Sequence, residues 1–141
     1  MNFRLDTNVV SEATRPQASA SVLEWLAGKD AESLFLSAIT LGELQRGVLL
    51  LPSGAKRKAL FRWIEADIRE AYAGRIPPVD ALVMDRWAQL EAATTKAGRR
   101  LAAMDGPIAA TALAHGLTLA TRNQSDFEGR GVPLIDPWAA A

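Results

Sequence analysis

The chain has 141 residues, 49% of them hydrophobic, with sixteen basic and sixteen acidic side chains, one histidine and no cysteine. A single domain spanning 1–141 is expected, because this length buries a sizeable core and leaves no room for a second. Disulfides, thiolate zinc sites, a cysteine nucleophile and a histidine zinc cluster are excluded, and the balanced charge supplies no global field for a polyanion, so any contact with nucleic acid must be local.

The chain opens on the run Met1 to Leu5, in which Asn2 to Leu5 is expected as a strand, with Asp6 directly after it. Asp6 interrupts this apolar run long before it could span a bilayer, and no signal peptide's charged start and cleavage site are present, so a soluble, cytoplasmic chain with no membrane anchor is expected. Taken alone, Asp6 is also a good cap for a helix following the strand. A second strand is expected at Leu34 to Ser37, and beyond it Leu41, Leu44, Val48 and Leu51 form a helical stripe that ends as the chain meets Pro52. Glu43 falls off that stripe. Arg46 and Gly47 share its helix face, and the missing side chain at Gly47 leaves space beside the carboxylate.

Lys56, Arg57, Lys58 and Arg62 follow on one helix, where a solvated face is the plainer reading than an RNA contact. Leu60, Ile64, Ile68 and Tyr72 recur every four residues, and Val83, Trp87 and Leu90 make a further apolar face; the core is the expected place for both, with a homodimer surface as the alternative. Arg99 and Arg100 lead to Asp105, which opens a helix over Gly106 to His115 and, read alone, caps it. Pro107 is tolerated in that first turn, where an amide donor would be free anyway. His115, before Gly116, suits the negative end of the helix dipole better than a general-base role. Strands are expected at Leu117 to Ala120 and Pro133 to Ile135, with Arg122 and Asp126 between them.

This alternation predicts an α/β fold, a short parallel sheet covered by helices on both faces, with ligands gathering at the strand carboxyl ends. Asp6, Glu43, Asp105 and Asp126 are then candidates for one cluster. Carboxylates are the hard oxygen ligands that Mg²⁺ or Mn²⁺ prefers, and such ions commonly activate water against a phosphodiester. A nuclease is therefore the first functional reading. An aspartyl-phosphate phosphatase fits poorly, because Asn8 stands where a second aspartate is commonly needed, and a phosphoreceiver-like binding module leaves Glu43 on its helix unexplained.

Four words then occur in order: Leu-Asp-Thr-Asn-Val-Val from Leu5, Glu-Leu-Gln-Arg-Gly from Glu43, Asp-Gly-Pro-Ile-Ala-Ala-Thr-Ala from Asp105, and Ala-Thr-Arg-Asn-Gln-Ser-Asp-Phe from Ala120. Their ordered set strongly resembles the PIN-domain family, above all the ribonuclease toxins of VapBC and FitAB type, from Leu5 to the Val-Pro-Leu-Ile-Asp-Pro-Trp ending at Trp138. The resemblance implies a PIN-like three-layer α/β/α domain with a short, mainly parallel sheet. It further implies a metal-dependent endoribonuclease using Mg²⁺ or Mn²⁺, with Asp6, Glu43, Asp105 and Asp126 as catalytic and metal residues and Thr7, Thr121 and Asn123 in support. Asn123 is an alternative bearer of the role of Asp126. A toxin role, a small cognate antitoxin as partner and a homodimer are implied too, with a catalytically inactive PIN-like binding module as the alternative. Gly106-Pro107 departs from the family pattern, where many relatives carry a bulkier residue.

Overall fold

Four short strands, β1 (Phe3–Leu5), β2 (Leu34–Phe35), β3 (Thr118–Ala120) and β4 (Leu134–Ile135), pair in parallel in the order β2-β1-β3-β4. They come from a computed structural model that describes residues 1–139; residues 140 and 141, the end of the range read as one domain, lie outside the described residues. Each strand falls inside its expected span but is shorter. At β2 the reason is local: Leu36 and Ala38 donate to Arg75 O and Pro77 O, so the outer edge is covered by an irregular segment rather than by a fifth strand.

The helices are α1 (Thr7–Glu12), α2 (Ala20–Ala27), α3 (Ala38–Leu49), α4 (Ala55–Arg62), α5 (Arg69–Ala71), α6 (Ala81–Lys96), α7 (Asp105–Ala114) and α8 (Gln124–Phe127). Strand alternation divides the interior in two. Phe3, Leu5, Leu34, Ala120 and Ile135 face a core completed by α1, α2 and the stripe Leu41, Leu44 and Val48 of α3. Phe35, Leu119 and Leu134 face a second core with Leu90 of α6, Ile108, Ala109 and Ala112 of α7, and Phe127 of α8. In register with Phe35 and Leu119 on that second face stands Arg4, fully buried, so the opening run is not wholly apolar.

Between α4 and α5 the chain winds as a π-helix, Trp63–Ile68, which explains the spacing of Leu60, Ile64, Ile68 and Tyr72. Four residues overshoot an α-turn by about 40°, so a strict repeat of four drifts off one face, whereas the wider π winding turns less per residue and brings the stripe back. All four residues join the first core, and Val83 and Leu90 are buried on α6. These apolar stripes are thus engaged within the chain. Among the described residues no helix is long and apolar enough to cross a membrane.

Helix α7 begins at Asp105 itself, and its side chain makes no capping bond, so the reading of Asp105 as a cap is corrected. Gly106 has a packing reason. A β-carbon built there would lie 2.9 Å from Nε1 and 3.0 Å from Cδ1 of Trp87, so only glycine lets α7 lie this close to the α6 indole. Gly106→Ala gains up to about 1 kcal/mol in helix propensity but overpacks this contact at about 1–3 kcal/mol. The expected outcome is a net loss on the order of 1 kcal/mol, with altered Trp87 fluorescence, read by urea unfolding; a variant as stable as the parent would show that the contact relaxes freely.

Candidate functional site

The strand order reverses between β1 and β3, leaving a crevice at their carboxyl ends. Leu5 and Ala120 are in register, and the Asp6 N–H donates to Ala120 O at 2.9 Å, so Asp6 and Thr121 leave the sheet side by side. Asp6 is buried, with both carboxylate oxygens engaged: Thr7 N–H donates to Oδ1 at 2.9 Å and the Thr121 hydroxyl to Oδ2 at 2.7 Å. Thr121 Oγ1 also accepts from Asn123 N–H at 3.1 Å and from Asn8 Nδ2 at 3.4 Å. Asp6 is therefore a cap, as its neighbours allow, and also the centre of a polar network.

Glu43 enters through Thr7, whose hydroxyl donates to Oε1 at 2.6 Å. Its helix, α3, is capped by Ser37, whose Oγ accepts from Thr40 N–H at 3.3 Å. Thr7 and Glu43 line a recess of ≈ 660 Å³ with Ile39, Gly42, Arg46 and Met104, and a smaller one of ≈ 140 Å³ that includes Gly47. A β-carbon at Gly47 would meet nothing within 4 Å, so the space there is open whether or not the residue is glycine. Asp105 follows Met104 and is partly buried, whereas Asp126 on α8 is exposed.

Asp105 lies within the field of the other three acids. Burial raises the Asp105 pKa above its ordinary value, and the negative charges of Asp126, Asp6 and Glu43 raise it further. All four expected acids therefore act on one locus. Convergence is incomplete, however: among the described residues no three acidic or histidine side chains stand close enough to hold a metal ion as they are placed. In kind, the hard oxygen donors and their mutual repulsion fit Mg²⁺ or Mn²⁺; in spacing, side chains have to turn inward.

Of the supporting residues, Thr7 and Thr121 bond directly to acids, whereas Asn123 contributes its backbone N–H and has no side-chain capping bond. Asn8 belongs to the same network, its Oδ1 accepting from Arg122 N–H at 3.4 Å; its place directly after Asp6-Thr7 was the available signal. Arg4 and Ser37 carried no such signal, because a lone arginine in a strand and a serine before a helix are ordinary sequence. Arg46 stands beside Glu43, and the Arg122 guanidinium lies over the Trp138 ring. Arg99 and Arg100 are held elsewhere, by Glu128 O and Glu91. Arg57, Lys58 and Arg62 line a separate recess of ≈ 560 Å³ that includes none of the four acids. His115 is an exposed cap of α7 and lines a recess with Phe35 and Pro77, also without the acids.

With this geometry, the family model described as the PIN domain matches residues 4–129. The chain belongs to the PIN-domain family. It is 44% identical over 134 residues to Toxin FitB of Neisseria gonorrhoeae, a match covering 95% of this chain and 96% of that one. It is 40% identical over 137 residues to VapC ribonuclease Y4jK of Sinorhizobium fredii, covering 97% and 98%. The structure of FitAB bound to an IR36 DNA fragment contains a chain that superposes with a TM-score of 0.93 at 41% identity, covering 99% of this PIN domain and 97% of that chain.

The raised pKa of Asp105 has a consequence for the metal-free PIN domain. Below the unfolded value of about 3.9 the group is protonated in both states and costs nothing. As pH rises through the folded value, ionisation against the neighbouring acids removes stability, and the loss is complete above it. Asp105→Asn abolishes that loss. The variant is expected to melt higher than wild type at pH 7, with the gap closing as pH falls toward about 3.9; a variant that melts lower at pH 7 would assign Asp105 a structural role.

Proposed function

We propose that this PIN domain, one unit over 1–141, is a metal-dependent endoribonuclease acting as the toxin of a toxin–antitoxin pair. The observation that carries the reading is the network at the crevice between β1 and β3, where Thr121 and Thr7 hold Asp6 and Thr7 also holds Glu43, with Asp105 within the field of the other acids. The names borne by FitB and the VapC ribonuclease support the toxin and ribonuclease parts of it. Asp6, Glu43, Asp105 and Asp126 would hold Mg²⁺ or Mn²⁺, which when bound neutralises phosphate charge and lowers the pKa of the attacking water.

The chain's own groups do the remaining work. Thr121 and the Thr7 N–H hold both oxygens of Asp6, and the Thr7 hydroxyl fixes Glu43, so these carboxylates stay aimed while the site is still metal-free. Asp105 or Glu43 would orient the attacking water and take its proton. Asp126, exposed at the rim, completes the ligand set with Asn123 beside it. Arg46 and Arg122 are the local positive charges that would position an RNA phosphate despite the balanced net charge. A small cognate antitoxin, of the kind in the FitAB assembly, would cover this pocket, and a homodimer is the expected assembly.

Purified protein is expected to cleave RNA with Mg²⁺ or Mn²⁺, to stop with excess chelator and to recover when metal returns. Asp6→Asn should lower the single-turnover rate on the order of 100-fold or more while keeping the fold. Chelator-resistant cleavage, or an active Asp6→Asn preparation, would reject the mechanism, and phosphorylation without cleavage would favour the phosphoreceiver-like reading. Co-expression with the product of a small neighbouring gene should yield a stable complex that suppresses cleavage; tight binding that leaves cleavage unchanged would reject inhibition by occlusion.

A further inference from the structure

Arg4 is the one charged residue in a row of the sheet that is otherwise apolar, with Phe35, Leu119 and Leu134 beside it in register. It is 0% exposed. A fully buried guanidinium carries a large desolvation penalty, so its partners explain why it is tolerated there. Nη2 donates to Ser37 Oγ at 2.8 Å, and Ser37 caps the helix that carries Glu43. Nη1 lies 3.7 Å from Asp6 Oδ1 and 3.5 Å from Leu5 O, while Nε has no partner among the described residues. The pairing is therefore partial. One guanidinium touches the first acid of the site and the cap of the helix bearing the second, fully bonded to the cap but only loosely paired with the acid.

We infer that Arg4 is a positioning residue of the acidic site, a built-in countercharge that ties Asp6 to the N-terminus of α3 and holds the metal-free cluster together at the expense of affinity for a divalent ion. The inference rests on the metal-site reading above and adds to it a fixed positive charge with which an incoming cation competes. Both charges act on Asp6 and Glu43. Removing the fixed one leaves those acids more repulsive when empty and more attractive to a metal.

Isothermal titration of Mg²⁺ and Mn²⁺ into the isolated chain, with melting measured with and without metal, tests this in wild type, Arg4→Lys and Arg4→Met. Arg4→Met, which keeps the length and apolar bulk, should bind metal roughly tenfold more tightly. Its metal-free form should melt lower than wild type, and metal should recover most of the difference. Arg4→Lys keeps the charge and should bind metal within about twofold of wild type, even where loss of the Nη2 bond to Ser37 lowers its melting temperature. Equal affinity in Arg4→Met and wild type, or weaker binding in both variants, would overturn the inference and leave Arg4 a packing residue. Failure of Arg4→Met to fold even with saturating metal would overturn it as well, since a countercharge is replaceable by the ion. If the wild type itself binds no metal, the site reading fails and this inference falls with it, whereas binding indifferent to residue 4 removes the inference alone.

Discussion

Parallel pairing of β1 with β3 is the constraint on which the site depends. Leu5 and Ala120 are the last residues in register, and the Asp6 N–H to Ala120 O bond carries the ladder one step beyond the strand. Asp6 and Thr121 therefore emerge together and can share a hydrogen bond of 2.7 Å although 115 positions apart in the chain. Because β2 lies on one side of this pair and β4 on the other, the chain leaves in opposite directions and neither crossover fills the crevice. The other acids reach that opening from helices: Glu43 from α3, Asp105 from the first residue of α7 and Asp126 from α8.

Gathering acids there opposes stability, and the surrounding residues limit the conflict without removing it. Asp6, the most buried of the four, has both oxygens bonded and a guanidinium beneath it; Glu43 has one hydroxyl donor. Asp105 has no hydrogen bond of that kind from its helix N-terminus and shows the strain as a raised pKa. The bonds hold the carboxylates in place but do not bring three of them to metal-binding distance among the described residues. On the proposed reading, a bound divalent ion would close the cluster and neutralise it together.

Backbone adjustments place the helices that carry these acids. The close approach of α7 to α6 rests on the absent β-carbon of Gly106 against Trp87, and this contact sits one residue from Asp105. The π-helical turns at Trp63–Ile68 keep a four-residue apolar repeat on one face and bury Ile64 and Ile68 next to Leu44 and Val48 of α3. Both features concern residues that look ordinary or irregular along the chain, and both acquire a reason only from the neighbour they pack against.

Local chemistry was legible in the sequence. The strand centres, the four acids and the α3 stripe Leu41, Leu44 and Val48 lie within short words whose periodicity or residue type survives without knowledge of the fold, although α3 ends at Leu49, short of Leu51; Thr7 and Thr121 were marked only by the resemblance to the PIN family. Strand lengths were less legible, because pairing ends where neighbours diverge, as when Leu36 turns to Arg75 O. The short helix α2, with Val22 and Trp25 as its buried residues, offered too brief a stripe to read. Asp105, which read alone is a helix cap, is instead the first residue of α7, without a capping bond. Arg4 passed for part of an apolar run until the parallel register put it between Phe35 and Leu119 with its charge turned toward Asp6 and Ser37. The chain by itself determined which groups carry charge and which segments alternate, since these are properties of residue type and spacing. Tertiary structure alone decided which charges meet and which are buried, because contacts between Arg4 and Ser37 or Thr121 and Asp6 depend on strand order and register, and these are set by packing between distant segments.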